Sequence, residues 1–469
     1  IEFCAPTLWT RYSGTTIFVL LFFVLLKFSA KAQCGEVGQI IRLTTQTEVN
    51  NFLTTTYPLC RNFLGTITIN DDYDGVDNIV QLDQLSNLDS IGGELNIWGN
   101  PYLIDLQGLN NLSYIGKDLY LSHNELMENV NGLAKLSFVE NVTIADNQNL
   151  NNLDSLFSIR NLQSLTIGDN PSLKSLAGLS NISKIGSDLN LYHNDLIDNV
   201  NGLAKLSFVE NISIVNNQNL NNLDSLFSIR NLQSLSIRDN PSLKSLAGLS
   251  SISNIVRRLS LSNNDALENI DALSSLNYVG ENLEVRSNLS LKDINGLSNI
   301  VSINGNLAIG DNDSLIHIDG LRGLKTVNYI SIHNNLHLQN LNGLSGIDSA
   351  FSISIINNTN LLQIDGPKNI KEIYSLYINS NQSLQNINGF SALEKASWVE
   401  FYNNKQLKQI NGLSNLKGID RYLIIKNNAS LNNIDGFSNL SYVKNDIIVE
   451  KNEALSNIDG LNDLVYVGN

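Results

Sequence analysis

Methionine occurs once in this chain of 469 residues, proline six times, histidine five times and cysteine three times. So few prolines and a single methionine are unusual in a mixed-fold enzyme and common in a repetitive scaffold. Cations are also short: 30 Lys and Arg stand against 45 Asp and Glu, for a net charge of -15 and a pI near 4.7. An acidic chain disfavours a nucleic-acid partner, which needs clustered Lys and Arg on the phosphates. No apolar run reaches the ~20 residues of an ordinary membrane span. What the chain does have is a 42% hydrophobic content, enough for a sizeable core, and a length that would suit about three ordinary domains.

The longest apolar stretch, Ile17 to Leu26, follows Arg11 and leads to Ala30-Lys31-Ala32. This is the layout of a signal peptide cleaved before Gln33, so residues 1–32 are read as a leader, with a start that is over-extended or incomplete because residue 1 is Ile. The bulky Gln33 argues against a lipid anchor on Cys34. No membrane-spanning segment is expected in the mature chain, which is placed outside the cell or on its surface. Removal of the leader takes Cys4 and leaves Cys34 and Cys60. They form a disulfide across 26 residues in an oxidising compartment, or stay as two buried thiols.

The passage NGLAKLSFVEN stands at Asn131–Asn141 and again at Asn201–Asn211, 70 residues on. A landmark of the type Asn-Gly-Leu-Ser-Asn-Leu recurs at Gln84, Gly108, Gly132, Ser155, Gly178, Gly202, Ser225, Gly248, Ala272, Gly296, Gly320, Gly343, Gly366, Gly389, Gly412, Gly436 and Gly460, always at intervals of 23 or 24. The 70-residue copy is therefore a block of three units. Within a unit, Leu95 and Ile97 alternate as strand residues do. Leu103, Leu106, Leu109, Leu112 and Ile115 then fall three apart, as turns or a 3₁₀-like side require. No long amphipathic helix fits. Each coil is too short to bury its own apolar edge, so neighbours must stack. The expectation is a repeat solenoid over 76–469, right-handed and parallel in its strands, with about seventeen coils.

Asparagine recurs in phase, five residues after the first strand position, from Asn100, Asn124 and Asn147 to Asn428 and Asn452. At a bend the backbone loses sheet partners, and an inward amide supplies both a donor and an acceptor. Residues 33–75, with both mature cysteines, are expected to form an N-terminal cap. The chain stops at Leu464-Val-Tyr-Val-Gly-Asn469, just before another strand is due, and further sequence is expected beyond it.

The unit LxIxxN resembles the leucine-rich repeat, although its preceding apolar residue lies one position too far away. Ile115-Gly-Lys-Asp-Leu-Tyr-Leu121 and Ile185-Gly-Ser-Asp-Leu-Asn-Leu191 resemble the receptor L-domain group. In overall layout, residues 34–469 are similar to secreted surface repeat proteins of Bacteroidetes-type bacteria. That resemblance implies the scaffold, and members that often bind proteins or glycans; it implies no activity.

No catalytic constellation emerges. His123 and His193 are copies of one position, and His333 and His337 do not share a helix as a metalloprotease pair would. The two mature cysteines lack zinc-site partners. The opening of a calcium loop is matched by Asn70-Asp-Asp-Tyr-Asp-Gly75, but Gln81 stands where a bidentate Glu belongs, and a solvated acidic loop is the alternative. No metal or other cofactor is expected. The outward strand positions carry Trp98, Tyr120, Tyr192, Tyr377 and Tyr402 with Arg238, Arg286, His333 and Lys426, residue types that anchor interfaces. Tyrosines packing across coils would give the same pattern. Between copies, Ala145/Val215, Asp146/Asn216 and Gly168/Arg238 vary while Val142/Ile212 stays apolar, as display or drift would allow. Asn111, Asn141, Asn181, Asn211 and Asn288 open N-glycosylation sequons.

The leading reading is a secreted or surface-displayed binding scaffold for adhesion or recognition of an unidentified protein or glycan. A passive spacer presenting a further module is the alternative. A polysaccharide-processing enzyme would need a deep groove with paired carboxylates.

Overall fold

The computed structural model describes residues 33–71 and 76–468. The expected leader lies outside the described residues, as do Asp72, Asp74 and Gly75 of the calcium-loop candidate.

Every coil contributes one short strand that pairs in parallel with the coil before and the coil after. Ile41, Ile67, Leu95, Leu119, Val142 and Leu165 face one another in turn, and the same column continues to Ile447 without a break. Leu95, Leu119 and Val142 are 0%, 0% and 1% exposed, so the expected line-up along one interior holds. Leu103, Leu106, Leu109, Leu112 and Ile115 close the other sides of that interior and are fully buried. Burying a side chain of this size stabilises by roughly 1.5–3 kcal/mol, and coil upon coil adds to one continuous core. The molecule is a parallel β-solenoid of leucine-rich-repeat type.

The apolar residues three apart owe their spacing to a 3₁₀ turn at the landmark, as in Asn131–Leu133, Asn201–Leu203 and Asn295–Leu297. The Asn or Asp two residues ahead starts the turn: Asn129 Oδ1 accepts from the Asn131 N–H at 3.0 Å, and Asp293 Oδ1 from Asn295 at 3.0 Å. The landmark glycine is needed for close approach. A Cβ at Gly132 would lie 1.6 Å from the carbonyl oxygen of Leu106, and one at Gly202 1.8 Å from that of Leu176.

The asparagines form one chain of amides. Asn217 Nδ2 donates to the carbonyls of Leu191 (3.2 Å) and Val215 (3.1 Å) and to Asn240 Oδ1 (3.2 Å), while its own Oδ1 accepts from the backbone N–H of Asn194 at 3.1 Å. The row begins where the Asp71 N–H donates to Asn100 Oδ1 at 3.0 Å and runs to Asn452. The residue before a ladder asparagine is left-handed, with φ of +53° at His123, +56° at Asp146, +51° at Asp169 and +53° at His193. Asn, Asp, Ser and His recur there because they tolerate this region better than branched residues do.

In the N-terminal segment the strands Ile40–Leu43 and Thr66–Ile69 join the same ladder. The helix Gln46–Asn51 begins at Thr45, whose side chain accepts from the Glu48 N–H, and sends Val49 into the core. Phe52, Tyr57 and Phe63 pack edge to face beside it, and Cys34 is bonded to Cys60 with 5.7 Å between their Cα atoms. Among the described residues, no helix is long and apolar enough to cross a membrane.

Replacing one rung tests the ladder. Asn217→Ala removes the partner of two buried carbonyls and should lower stability by roughly 2–4 kcal/mol in urea unfolding. Asn277→Ala, at an exposed position off the ladder, should change it by less than about 0.5 kcal/mol.

Candidate binding face

The outward strand residues fall into two columns, not one. Tyr120 and Tyr377 occupy the first, beside Asn96 and Thr143 in one case and Ser354 and Glu400 in the other. Trp98, Tyr192, Arg238, Arg286, His333, Tyr402 and Lys426 occupy the second. Register brings Tyr402 next to Lys426, which is ion-paired to Glu450, and places Ser262 between Arg238 and Arg286. Trp98 is exposed with Ser122 as its neighbour, one coil from Tyr120 and four coils from Tyr192. These residues therefore form separate groups along the rod.

Two of them are seated by glycine. A Cβ at Gly168 would lie 2.1 Å from the Tyr192 ring, and one at Gly310 2.3 Å from His333 Nε2, so each ring lies over the bare backbone of the coil before. Burial holds the Tyr192 phenol above its ordinary value, helped by the charges of Asp169 and Asp146. Burial likewise raises the Asp169 carboxyl, with Asp146 adding to it and His193 and His123 opposing. Burial also raises the Tyr377 phenol, whose ring centroid lies 6.0 Å from that of Trp398.

One hollow involves residues that the repeat pattern did not single out. A hollow of about 540 Å³ runs along the axis, with Ile303, Val327, Ala350, Ile373 and Ala396 on its floor. This floor column holds Leu, Ile or Val in other coils, such as Leu162, Ile185, Leu232 and Ile255. Their side chains belong to the interior, so the floor is the strand backbone between two outward rows. One wall carries Thr326, Ser349, Glu372 and Lys395, the other Asn328, Phe351, Tyr374 and Ser397. The six coils it crosses span about 24 Å at ~4.8 Å each.

Phe351 and Tyr374 stack with centroids 4.7 Å apart and planes 9° from parallel, and Tyr329 leans on Phe351 at 5.3 Å. All three are exposed. Arg421 covers Tyr374 at 5.4 Å, and Trp398 meets Tyr422 at 4.6 Å. The ring faces are thus largely taken up by one another, which leaves edges and hydroxyls for a ligand. Asp420 closes one end, with Lys444 Nζ at 2.6 Å and Lys395 Nζ at 3.0 Å. A sequence signal existed for this site: Phe351 and Tyr374 each stand one position after the inward branched-aliphatic column, in consecutive coils.

The histidines stay apart. His123 is 3.8 Å from Asp146, His333 3.4 Å from Asp311, and His337 bonds the Asp313 carbonyl at 2.6 Å. Among the described residues, no group of three or more His, Cys, Asp or Glu could hold a metal ion. The sequon at Asn288 is corrected by the fold: Asn288 is a fully buried rung of the ladder, bonded to Asn312 and the Leu261 carbonyl, and has no room for a glycan.

No known family matches this sequence, and neither does any curated protein. Among solved structures, an internalin of Listeria monocytogenes is similar, with 21% identity and a TM-score of 0.37 over 68% of this chain and 86% of that one. A leucine-rich repeat protein of Bacteroides ovatus has 14% identity and a TM-score of 0.16, covering 73% and 82%. The Toll–Spatzle complex of Drosophila has 16% identity and a TM-score of 0.32, covering 87% and 60%.

The Lys444 hydrogen bond, more than that of Lys395, holds the Asp420 carboxyl below the ordinary carboxylate range against the opposing effect of burial. A lowered value in the folded state means stabilisation that is complete above the unfolded pKa of about 3.9 and is lost as pH falls through the lowered value. Asp420→Asn should cost about 1 kcal/mol near neutral pH, with the difference from the parent closing in unfolding curves as pH falls through the lowered value. A difference that persists in acid would rule out the ion-pair account.

Proposed function

We propose that this chain is a secreted or surface-displayed recognition scaffold that holds a protein partner along the axial hollow between Ile303 and Asp420. The observation that carries this reading is the hollow of about 540 Å³ flanked by the exposed stack of Phe351 and Tyr374. An elongated hollow with aromatic residues on one rim and charge at one end suits an extended segment of polypeptide, which anchors through apolar pockets and a few placed polar groups. A sugar would seek open ring faces, and here those faces meet neighbouring side chains. The disulfide Cys34–Cys60 and the leader-like residues 1–32 support a place outside the cell, where thiols oxidise. A passive spacer would have no use for a cluster of exposed aromatic residues on so few coils.

Labelled protein binding to intact cells, before and after protease shaving of their surface, tests the proposal. Binding should disappear on shaving. Removing the stack with Phe351→Ala and Tyr374→Ala should weaken it about tenfold, and Tyr377→Ala should weaken it less. Both rings are exposed, so the stack variant should fold. Undiminished binding by the stack variant would remove the hollow from the account.

A further inference from the structure

A second depression on the same face, of about 340 Å³, is lined by Ser213, Ser234, Ser236 and Ser260 with Arg238, Arg257, Arg258, Glu281 and Glu284. Its origin can be read from the duplication. Residues 119–188 and 189–258 align without a gap and differ at sixteen positions. Only three of those differences introduce a positive charge: Gly168/Arg238, Ser187/Arg257 and Asp188/Arg258. All three arginines line this one depression. Its floor is trimmed as well, since Ser213, Ser236 and Ser260 stand where the positions 70 residues earlier hold Thr143, Thr166 and Asn190. Drift on a free exterior would scatter charges of either sign; here one sign converges on one place in a chain of net charge -15.

The local charges are only partly neutralised. Arg257 pairs with Glu281 at 3.4 Å and Arg286 with Glu284 at 2.9 Å, while Ser260 Oγ lies 3.4 Å from Glu284. Arg238 and Arg258 are exposed and have no ion-pair partner among the described residues. Their planar forks fit the paired oxygens of carboxylate or sulfate. Serine hydroxyls around them both donate and accept, as a hydroxylated ligand requires. Leu235 is the one apolar residue of the lining, and it is buried, so there is no anchor for a peptide side chain.

We propose that this depression binds an acidic polysaccharide, whose carboxylate or sulfate groups sit between Arg238 and Arg258 over the serine floor. It is separate from the hollow at Ile303–Asp420, and either site can fail without the other. The test measures the full chain against immobilised polygalacturonate, dextran sulfate, uncharged dextran and poly-glutamate at two salt concentrations. Polygalacturonate or dextran sulfate should bind, more weakly at higher salt; the arm that binds more tightly identifies carboxylate or sulfate as the preferred group. Arg238→Gly with Arg258→Asp restores residues already housed in the earlier copy, and should weaken that binding about tenfold or more. Arg160→Ser, an exposed arginine elsewhere, and the stack variant Phe351→Ala/Tyr374→Ala should leave it unchanged. The proposal is overturned if the double variant binds as the parent does, if Arg160→Ser is equally damaging, if uncharged dextran binds as well, or if poly-glutamate binds more tightly than either polysaccharide.

Discussion

Each coil has to turn out of its strand, and at that corner the backbone loses the partners that the sheet supplied. The buried asparagine resolves this by donating to carbonyls of its own coil and the one before, and by accepting from the preceding rung. Unpaired, a buried polar group of this kind costs about 1–3 kcal/mol, and the corner recurs in every coil. The rest of the architecture follows from keeping that amide in place. Register cannot slip without taking the rung out of line, the residue before it must accept a left-handed backbone, and the landmark glycine must let the next coil close up.

Most of this frame was legible in the sequence. The interval of 23 or 24 residues, the alternation at Leu95 and Ile97 and the phase of the asparagines each pointed to stacked coils, and Leu95, Leu119 and Val142 do share one interior. The left-handed column is legible in principle, since Asp, Asn, Ser, His and Gly recur before the rung. The face was legible only in part. Alternation identifies which residues point outward, yet it does not say which are neighbours across coils, so it leaves open that Tyr120 and Tyr377 stand in a different column from Tyr192 and Tyr402. The hollow escapes for the same reason: it lies between two outward rows whose stacking across coils a hydrophobic pattern does not record.

Shape on this surface is set by pairs of residues in adjacent coils. Gly168 gives Tyr192 its seat, Gly310 gives His333 its seat, and Phe351 stacks on Tyr374 of the next coil. A change in one coil is felt on the next, about 23 residues away in sequence and ~4.8 Å away in space. Copying a block of three coils therefore reproduces whole neighbourhoods, and a few later substitutions can give the copy a different relief without touching its interior.

The asparagine row also bears on how the molecule ages. Side-chain amides hydrolyse fastest where glycine follows, because the next backbone nitrogen can then attack them. Such Asn-Gly pairs stand at Asn131, Asn201, Asn295, Asn304, Asn342, Asn388 and Asn411, none of them buried, whereas no rung from Asn100 to Asn452 is followed by glycine. Chemical wear is thereby directed to the solvent side, where a new carboxylate is readily hydrated. The amides whose loss would leave an unhydrated charge inside the stack are the ones their sequence neighbours protect.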